Sequence, residues 1–223
     1  MEAYDFSNIA ADLDTLFSTP ADRKADPNEG KAVKVKKTVS QHVMRRVLSE
    51  LALEKELTWH FEKGVTYHCL SWGDVDALTY LRVIVKQQHV KYALISTWCM
   101  ASEDITEIRQ WIKNGYIDRV DFYIGEIFKA SYFKQYGELI ALCKELGGRV
   151  CMLRNHSKIM VAFGDKFDAA IESSANVNTN PRCEQTAITI DTELALWYKE
   201  LFDGFKSYER NFDDIKPYQF KND

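Results

Sequence analysis

The chain lacks the features that would place it in a membrane or in an oxidising compartment. Its 223 residues contain no apolar stretch that approaches the roughly 20 residues of a membrane span, and its acidic start, Met-Glu-Ala-Tyr-Asp, is not that of a signal peptide. The five cysteines are odd in number and include no Cys-x-x-Cys pair, which favours buried thiols in a reducing environment. We therefore expect a cytoplasmic protein with no membrane attachment.

The chain also lacks a surplus of positive charge and any pattern of metal ligands. Its formal net charge is -4, so nucleic acid could be bound only through a local patch. Four histidines have no ligand-like spacing to acids or cysteines, namely His42, His60, His68 and His89. The sequence thus predicts neither a metal site nor a cofactor.

One local basic patch is present near the start of the chain. The stretch from Lys31 to Arg46 contains no acid and six basic residues: Lys31, Lys34, Lys36, Lys37, Arg45 and Arg46. Such a strip can neutralise backbone phosphates in a salt-dependent way. The alternative is a solvated strand followed by a helix from Gln41 to Glu56, for which Ser40 would be the cap.

Strand-like and helix-like segments alternate through the rest of the chain. The predicted strands are Val65 to Ser71, Val90 to Trp98, Val120 to Ile127 and Val150 to Leu153, and the intervening helices are Val75 to Gln88, Ser102 to Asn114 and Ala130 to Leu146. This alternation indicates βαβ crossovers and a mostly parallel sheet. We expect an α/β domain over residues 65–223, preceded by an N-terminal helical extension over residues 1–64 that carries the basic strip.

A group of chemically reactive residues surrounds two further strand-like runs, Ile159 to Phe163 and Phe167 to Ile171. His156 and Lys158 precede the first run, and residues two apart on a strand share a face. Ser174 and Asn176 follow the second run at the same spacing, and Glu184 lies further on. A histidine can attack phosphorus, and an ammonium and an amide can stabilise the charge that develops. The alternative reading makes the histidine and the lysine ordinary surface residues.

This order, His-x-Lys, then Ser-x-Asn, then a downstream Glu, resembles the signature of the phospholipase D-like superfamily. The match consists of His156, Lys158, Ser174, Asn176 and Glu184. Where that family usually has Asp, five residues after the lysine, this chain has Phe163, and the nearest acid is Asp165. An odd separation from Lys158 predicts that Phe163 points away from the catalytic face. Asp165 could substitute from the following turn.

The resemblance implies an α/β fold with a mixed, mostly parallel sheet that is flanked by helices on both faces. It also implies a metal-independent reaction in which His156 forms a phosphohistidine, Lys158 and Asn176 bind the non-bridging oxygens, Ser174 assists, and Glu184 orients the imidazole. The family typically joins two His-x-Lys motifs in one site. This sequence has one motif and no internal repeat in the first 150 residues, so we expect a homodimer in which two copies of His156 meet.

For the substrate, a small chain with a single motif resembles the nuclease branch of the superfamily most. The sequence therefore predicts a phosphodiesterase that acts on DNA or RNA. Arg182 would touch a flanking phosphate or form a structural ion pair, and Trp72 and Trp98 would stack on a base or be buried. The alternatives are a non-catalytic module that binds nucleic acid or protein, and phospholipid hydrolysis, for which the chain has no interfacial amphipathic segment.

Overall fold

Strands and helices alternate along most of the chain and build one sheet with helices around it. The computed structural model describes residues 36–37, 42–47, 50–57, 61–72, 75–178, 182–208 and 216–220. Within these ranges the strands are β1 (Lys36–Lys37), β2 (His42–Val47), β3 (Thr66–Trp72), β4 (Val90–Thr97), β5 (Val120–Gly125), β6 (Val150–Leu153), β7 (Ile159–Gly164), β8 (Asp168–Ser173) and β9 (Cys183–Thr189). The helices are α1 (Glu50–Leu57), α2 (Ala77–Gln87), α3 (Ser102–Lys113), α4 (Phe128–Ser131), α5 (Phe133–Leu146) and α6 (Thr192–Asp203).

The sheet is mixed, and its strand order is β1-β2-β3-β9-β8-β7-β4-β5-β6. The predicted α/β fold with a mixed sheet is confirmed, but fewer pairs are parallel than expected. Only β2–β3, β4–β5 and β5–β6 are parallel among the described pairs, and the others are antiparallel. Two of the antiparallel pairs, β7–β8 and β8–β9, follow from the short connections that join these strands, because neighbouring strands joined without a crossover must run antiparallel.

Residues 42–47 form a strand, so the first half of the helix predicted from Gln41 to Glu56 is wrong. Strand β2 pairs in parallel with β3, with Val43 opposite Tyr67, and the helix begins only at Glu50. Backbone pairing along β3 outweighs the weak local preference for a helix here. The helical extension predicted over residues 1–64 stays a prediction, because most of those residues lie outside the described ranges.

Two separate hydrophobic layers cover the two faces of the sheet. Successive residues of β4 alternate between them: Ala93 and Ile95 belong to the layer under α2, α3 and α5, whereas Tyr92 and Leu94 belong to the layer under α6. The predicted placement of helices on both faces is therefore confirmed. Among the described helices, none combines the length and the apolar character that crossing a lipid bilayer would require.

Polar side chains fix where two of these helices begin. The carboxylate of Asp76 accepts a hydrogen bond from the backbone N–H of Thr79 at 3.0 Å and caps α2. In the same way Asp191 accepts from the backbone N–H of Leu194 at 2.7 Å and caps α6. Each contact satisfies an N–H group that the helix itself cannot pair, so it stabilises the helix start.

Candidate active site

Several strand ends meet at one end of the sheet, which we call the site end. Strand β7 begins there beside the end of β4, with Ile159 opposite Ser96, and beside the end of β8. Strand β9 also begins there, beside the end of β3. The connections that flank these strands carry the residues singled out in the sequence, namely His156, Lys158, Ser174, Asn176 and Glu184. Residues from two separate connections and from the start of β9 are thus gathered at one end of the sheet.

His156 and Lys158 touch, as their spacing predicts. The Nζ atom of Lys158 lies 3.1 Å from Nδ1 of His156 and donates to the carbonyl oxygen of the same residue at 2.8 Å. An ammonium can only donate, so Nδ1 accepts and the proton of a neutral imidazole lies on Nε2. The imidazole is exposed, and within the described ranges no side chain or backbone group hydrogen-bonds its Nε2 atom.

Ser174 and Glu184 form a second pair. The hydroxyl of Ser174 donates to Oε2 of Glu184 and accepts from the backbone N–H of Gln185 at 2.9 Å. The resemblance implied that this carboxylate orients the imidazole, whereas here the carboxylate contacts Ser174 and the imidazole contacts Lys158. The two pairs are close enough for the charge of Glu184 to favour the protonated form of Lys158 and so to raise its pKa.

Asn176 is held in place by its backbone and by one side-chain oxygen. Its Oδ1 atom accepts from the backbone N–H of Trp98 at 3.4 Å, and its carbonyl oxygen accepts from the N–H of Ala77 at 3.1 Å. Strand β8 ends at Ser173, so Ser174 and Asn176 lie in the connection that follows the strand. Among the described residues, the Nδ2 donors of Asn176 meet no acceptor, which leaves them able to bind a ligand.

Burial sets the electrostatic state of the cation at this site. The half-buried position of Lys158 lowers its pKa, and the neighbouring charges of Cys99 and Glu184 oppose that change. Burial also raises the pKa of the Cys99 thiol, so its charge acts on Lys158 only at a pH high enough to ionise that thiol. At lower pH, where the thiol is neutral, the charge of Glu184 still favours the protonated form of Lys158.

Asn155 fixes the segment that carries the imidazole, and the sequence reasoning missed it. Its Nδ2 atom donates to Oγ of Ser96 at 2.8 Å and to the carbonyl oxygen of Tyr123 at 2.9 Å. Its Oδ1 atom accepts from the backbone N–H of Ser157 at 2.9 Å. This buried amide therefore ties the residues around His156 to the ends of β4 and β5. The only signal in the sequence is its position directly before His156.

Phe163, which replaces the usual motif Asp, and Asp165, the nearest acid, both lie away from the site. Phe163 is 4% exposed and stacks on Tyr92, with ring centroids 6.0 Å apart, in the layer under α6; the direction predicted from its spacing is confirmed. Asp165 follows the far end of β7, where its oxygens contact Lys91 at 3.2 Å and His89 at 3.3 Å. The idea that Asp165 substitutes in the site is wrong, because β7 separates it from His156.

The basic residues of the predicted nucleic-acid surface are only partly described. Lys36 and Lys37 form β1, and Arg45 and Arg46 lie in β2, whereas Lys31 and Lys34 lie outside the described residues. Arg182 is exposed directly before β9 and has no ion-pair partner in the part of the chain that the structure describes. In that part, no three His, Cys, Asp or Glu side chains are arranged to hold a metal ion.

Comparison with known proteins identifies the fold. No family model matches the chain, and no curated protein matches it by sequence. Polyphosphate kinase from Porphyromonas gingivalis superposes with a TM-score of 0.50 at 13% identity, over 95% of this chain and 42% of that one. This likeness shows a phospholipase D-like α/β fold.

Two further solved structures are similar at lower TM-scores. Phosphatidylserine synthase from Haemophilus influenzae Rd KW20 has a TM-score of 0.44 and 15% identity, over 60% of this chain and 37% of that one. TrmBL2, an archaeal chromatin protein described as showing a novel mode of DNA binding, has a TM-score of 0.38 and 10% identity, over 95% and 62% of the two chains. The chain spans less than two thirds of each of these three proteins.

Proposed function

We propose that this chain is a metal-independent phosphodiesterase that cleaves DNA or RNA through a phosphohistidine. The observation that carries the proposal is the contact between His156 and Lys158 at the site end, with Ser174, Asn176 and Glu184 beside them. An exposed imidazole next to a cation suits attack on a phosphodiester, because the cation neutralises the charge of the non-bridging oxygens. The phospholipase D-like fold supports this reading.

Two copies of His156 would share the reaction in a homodimer. In the first step, Nε2 of one imidazole forms a bond to phosphorus, and the bond from phosphorus to the leaving oxygen breaks. The second imidazole gives its proton to that oxygen. In the second step, water attacks phosphorus, the nitrogen–phosphorus bond breaks, and the second imidazole takes the proton from water. The enzyme returns to its starting state.

The hydrogen bond between Lys158 and Nδ1 would have to break in both copies before the reaction. A neutral imidazole that accepts at Nδ1 carries its proton on Nε2, whereas the attacking copy needs the lone pair of Nε2. The copy that protonates the leaving oxygen would start doubly protonated, so that it becomes a neutral imidazole when it gives up its Nε2 proton. In the attacking copy Lys158 would leave Nδ1 and bind a non-bridging oxygen of the substrate, together with the Nδ2 group of Asn176.

Nucleic acid is the proposed substrate because basic residues are concentrated in one part of an otherwise acidic chain. The strands β1 and β2 carry Lys36, Lys37, Arg45 and Arg46, and β2 adjoins β3, which pairs with the strand of Glu184. Arg182 lies two residues before Glu184 and is exposed. These cations would contact phosphates that flank the scissile one.

The test uses an end-labelled oligonucleotide, the purified protein and a chelator. We expect the wild-type protein to cleave, and a denaturing quench at alkaline pH to trap a phosphate adduct on His156 that is stable in alkali and is lost when the sample is acidified. The variant His156→Ala should give neither product nor adduct. Equal cleavage by both proteins, or cleavage that requires added metal, would refute the assignment.

A non-catalytic nucleic-acid-binding module is the second candidate. The observation that favours it is the pairing of Glu184 with Ser174, which leaves the imidazole without a carboxylate partner in the described structure. For this candidate we expect binding of the same oligonucleotide that weakens steeply with salt, no cleavage, and no change in affinity for His156→Ala.

A further inference from the structure

Trp98 lies against the imidazole and has contacts on three sides. It follows the last residue of β4 and is half-buried. Its indole centroid lies 5.6 Å from that of His156, with an angle of 50° between the ring planes. Its backbone N–H donates to Oδ1 of Asn176. One residue thus links the end of β4 to two of the proposed site residues.

Gly125, the last residue of β5, provides the surface on which the indole rests. A Cβ atom at this position would lie 2.8 Å from Cδ1 of Trp98 and 3.1 Å from the carbonyl oxygen of Asn155. Gly125 is not among the glycines with a positive φ, so its backbone conformation does not require glycine. The requirement is space: any side chain here would displace the indole or the segment that leads to His156.

In the described structure, no carboxylate holds the imidazole of His156 in a fixed orientation. Glu184 contacts Ser174, and among the described residues the only hydrogen bond to the ring comes from Lys158, at Nδ1. In the proposed mechanism that lysine moves to a substrate oxygen. An exposed imidazole without another contact would then rotate among several side-chain conformations. The indole, which lies against the ring, is a neighbour that can restrict this rotation.

We propose that Trp98 is a positioning residue that holds the imidazole of His156 in place, and that Gly125 is glycine in order to admit the indole. The catalytic part of this inference rests on the proposed function, whereas the positioning itself does not. A ring held near its attack position gains rate because less rotational freedom is lost in the transition state. Trp98 therefore affects the step at phosphorus and not the binding of substrate.

The first test needs no activity. In full-length protein labelled at histidine, the ring protons of His156, assigned by their loss in His156→Ala, should shift when the neighbouring indole is removed in Trp98→Leu. Gly125→Ala, which displaces the indole, should shift the same resonances, and Trp98→Phe should shift them less. The control is Trp197→Leu on α6, where Trp197 is 55% exposed, and it should leave them unchanged. Unchanged His156 resonances in Trp98→Leu and Gly125→Ala would overturn the inference.

The second test separates kcat from KM with the same oligonucleotide. We expect Trp98→Leu and Gly125→Ala to lower kcat by about tenfold while KM changes by less than about threefold. Trp98→Phe should recover most of kcat, and Trp197→Leu should match wild type. An unchanged kcat, or a loss only in KM, would overturn the catalytic role. If Trp98→Leu does not fold, Gly125→Ala and Trp98→Phe test the inference in its place. If the wild-type protein shows no cleavage, the proposed function is refuted, and the His156 resonances still show whether Trp98 positions the imidazole.

Discussion

Two histidines lie at opposite ends of the same pair of strands, and their surroundings differ. His89 directly precedes β4, and both of its ring nitrogens face carboxylates: Nε2 lies 2.9 Å from Asp118 and Nδ1 lies 3.3 Å from Asp165. His156 precedes β7 at the site end, where Nδ1 faces Lys158 at 3.1 Å. Among the described residues, Nε2 of His156 has no partner.

These contacts give the two histidines different roles: His89 links neighbouring strands, whereas His156 is exposed to react. With both nitrogens engaged, His89 has neither a lone pair nor a proton to offer unless it breaks a contact. It joins the residues before β5 to those after β7. The Nε2 atom of His156 has no partner among the described residues, and in the proposed mechanism this atom bonds to phosphorus once Lys158 has left Nδ1. Residue type alone does not distinguish the two.

The largest expected effect concerns the histidines themselves. His156→Ala should lower the rate of oligonucleotide cleavage by about 10³-fold or more, because it removes the nucleophile. His89→Ala should leave the rate near that of wild type. Initial rates in chelator measure both. A similar loss in the two variants would mean that the sheet, and not a specific imidazole, supports activity.

The two lysines beside these histidines provide the next comparison. Lys158→Met should lower kcat by about 10²-fold, because a cation that stabilises the developing charge is lost, whereas Lys91→Met should not. Burial lowers the pKa of Lys158, so its charged form is lost at a lower pH than that of an ordinary lysine. As the pH is raised, the wild-type rate should therefore begin to fall at a lower pH than it would if Lys158 had the pKa of an ordinary lysine. A pH–rate profile checks this, and an alkaline limb that is identical in Lys158→Arg would contradict it.

Restoring the usual residue of the motif should harm the fold and not help the site. Phe163→Asp would place a carboxylate in the apolar layer under α6, next to Tyr92 and Phe220. We expect a loss of about 3–5 kcal/mol in the free energy of unfolding, measured by urea denaturation, and no gain in cleavage. Phe163→Leu is the control and should lose less. Higher activity in Phe163→Asp would show that residue 163 does face the site.

The smallest expected effect is on the ion cluster at the far end of β7. A hydrogen bond from Lys91 and the charge of His89 lower the pKa of the Asp165 carboxyl. A carboxyl group whose pKa is lower in the folded state than in the unfolded state stabilises the fold at pH values above the unfolded-state pKa. That stabilisation is lost as the pH falls through the folded-state pKa. Asp165→Asn should therefore lower Tm slightly at neutral pH and leave it unchanged in strong acid, without affecting cleavage. Equal Tm differences at both pH values would rule out a charge effect.

The strands with continuous apolar runs were the most predictable part of the fold. The strand Val150 to Leu153 was predicted at its observed bounds, and Val90 to Trp98 differs from β4 by one residue. Buried strands of this kind show their character locally, because both faces must be apolar. The helix expected from Gln41 failed for the opposite reason: β2 depends on pairing with β3, which no local pattern records.

The candidate site was predictable as a set of residue types and less so as a set of contacts. The spacing of His156 and Lys158 correctly predicted that their side chains meet. The contact of Trp98 with Gly125 could not be predicted, because it joins the ends of β4 and β5. Only the strand order brings those two ends together, and a linear sequence does not state that order. Ser174 and Glu184 flank the single connection between β8 and β9, but their spacing does not show which side chain the carboxylate contacts.

The pairing of β4 with β7 joins segments that are far apart in the chain, with Ile95 opposite Met160. Forming such a contact requires a long loop to close first, which slows folding relative to local helix formation. A refolding chain should therefore regain its helical circular dichroism before the imidazole of His156 meets its neighbours. We therefore expect the candidate site to re-form slowly, after most of the secondary structure has returned. The delay follows from the position of the site, which lies where strands distant in the chain end.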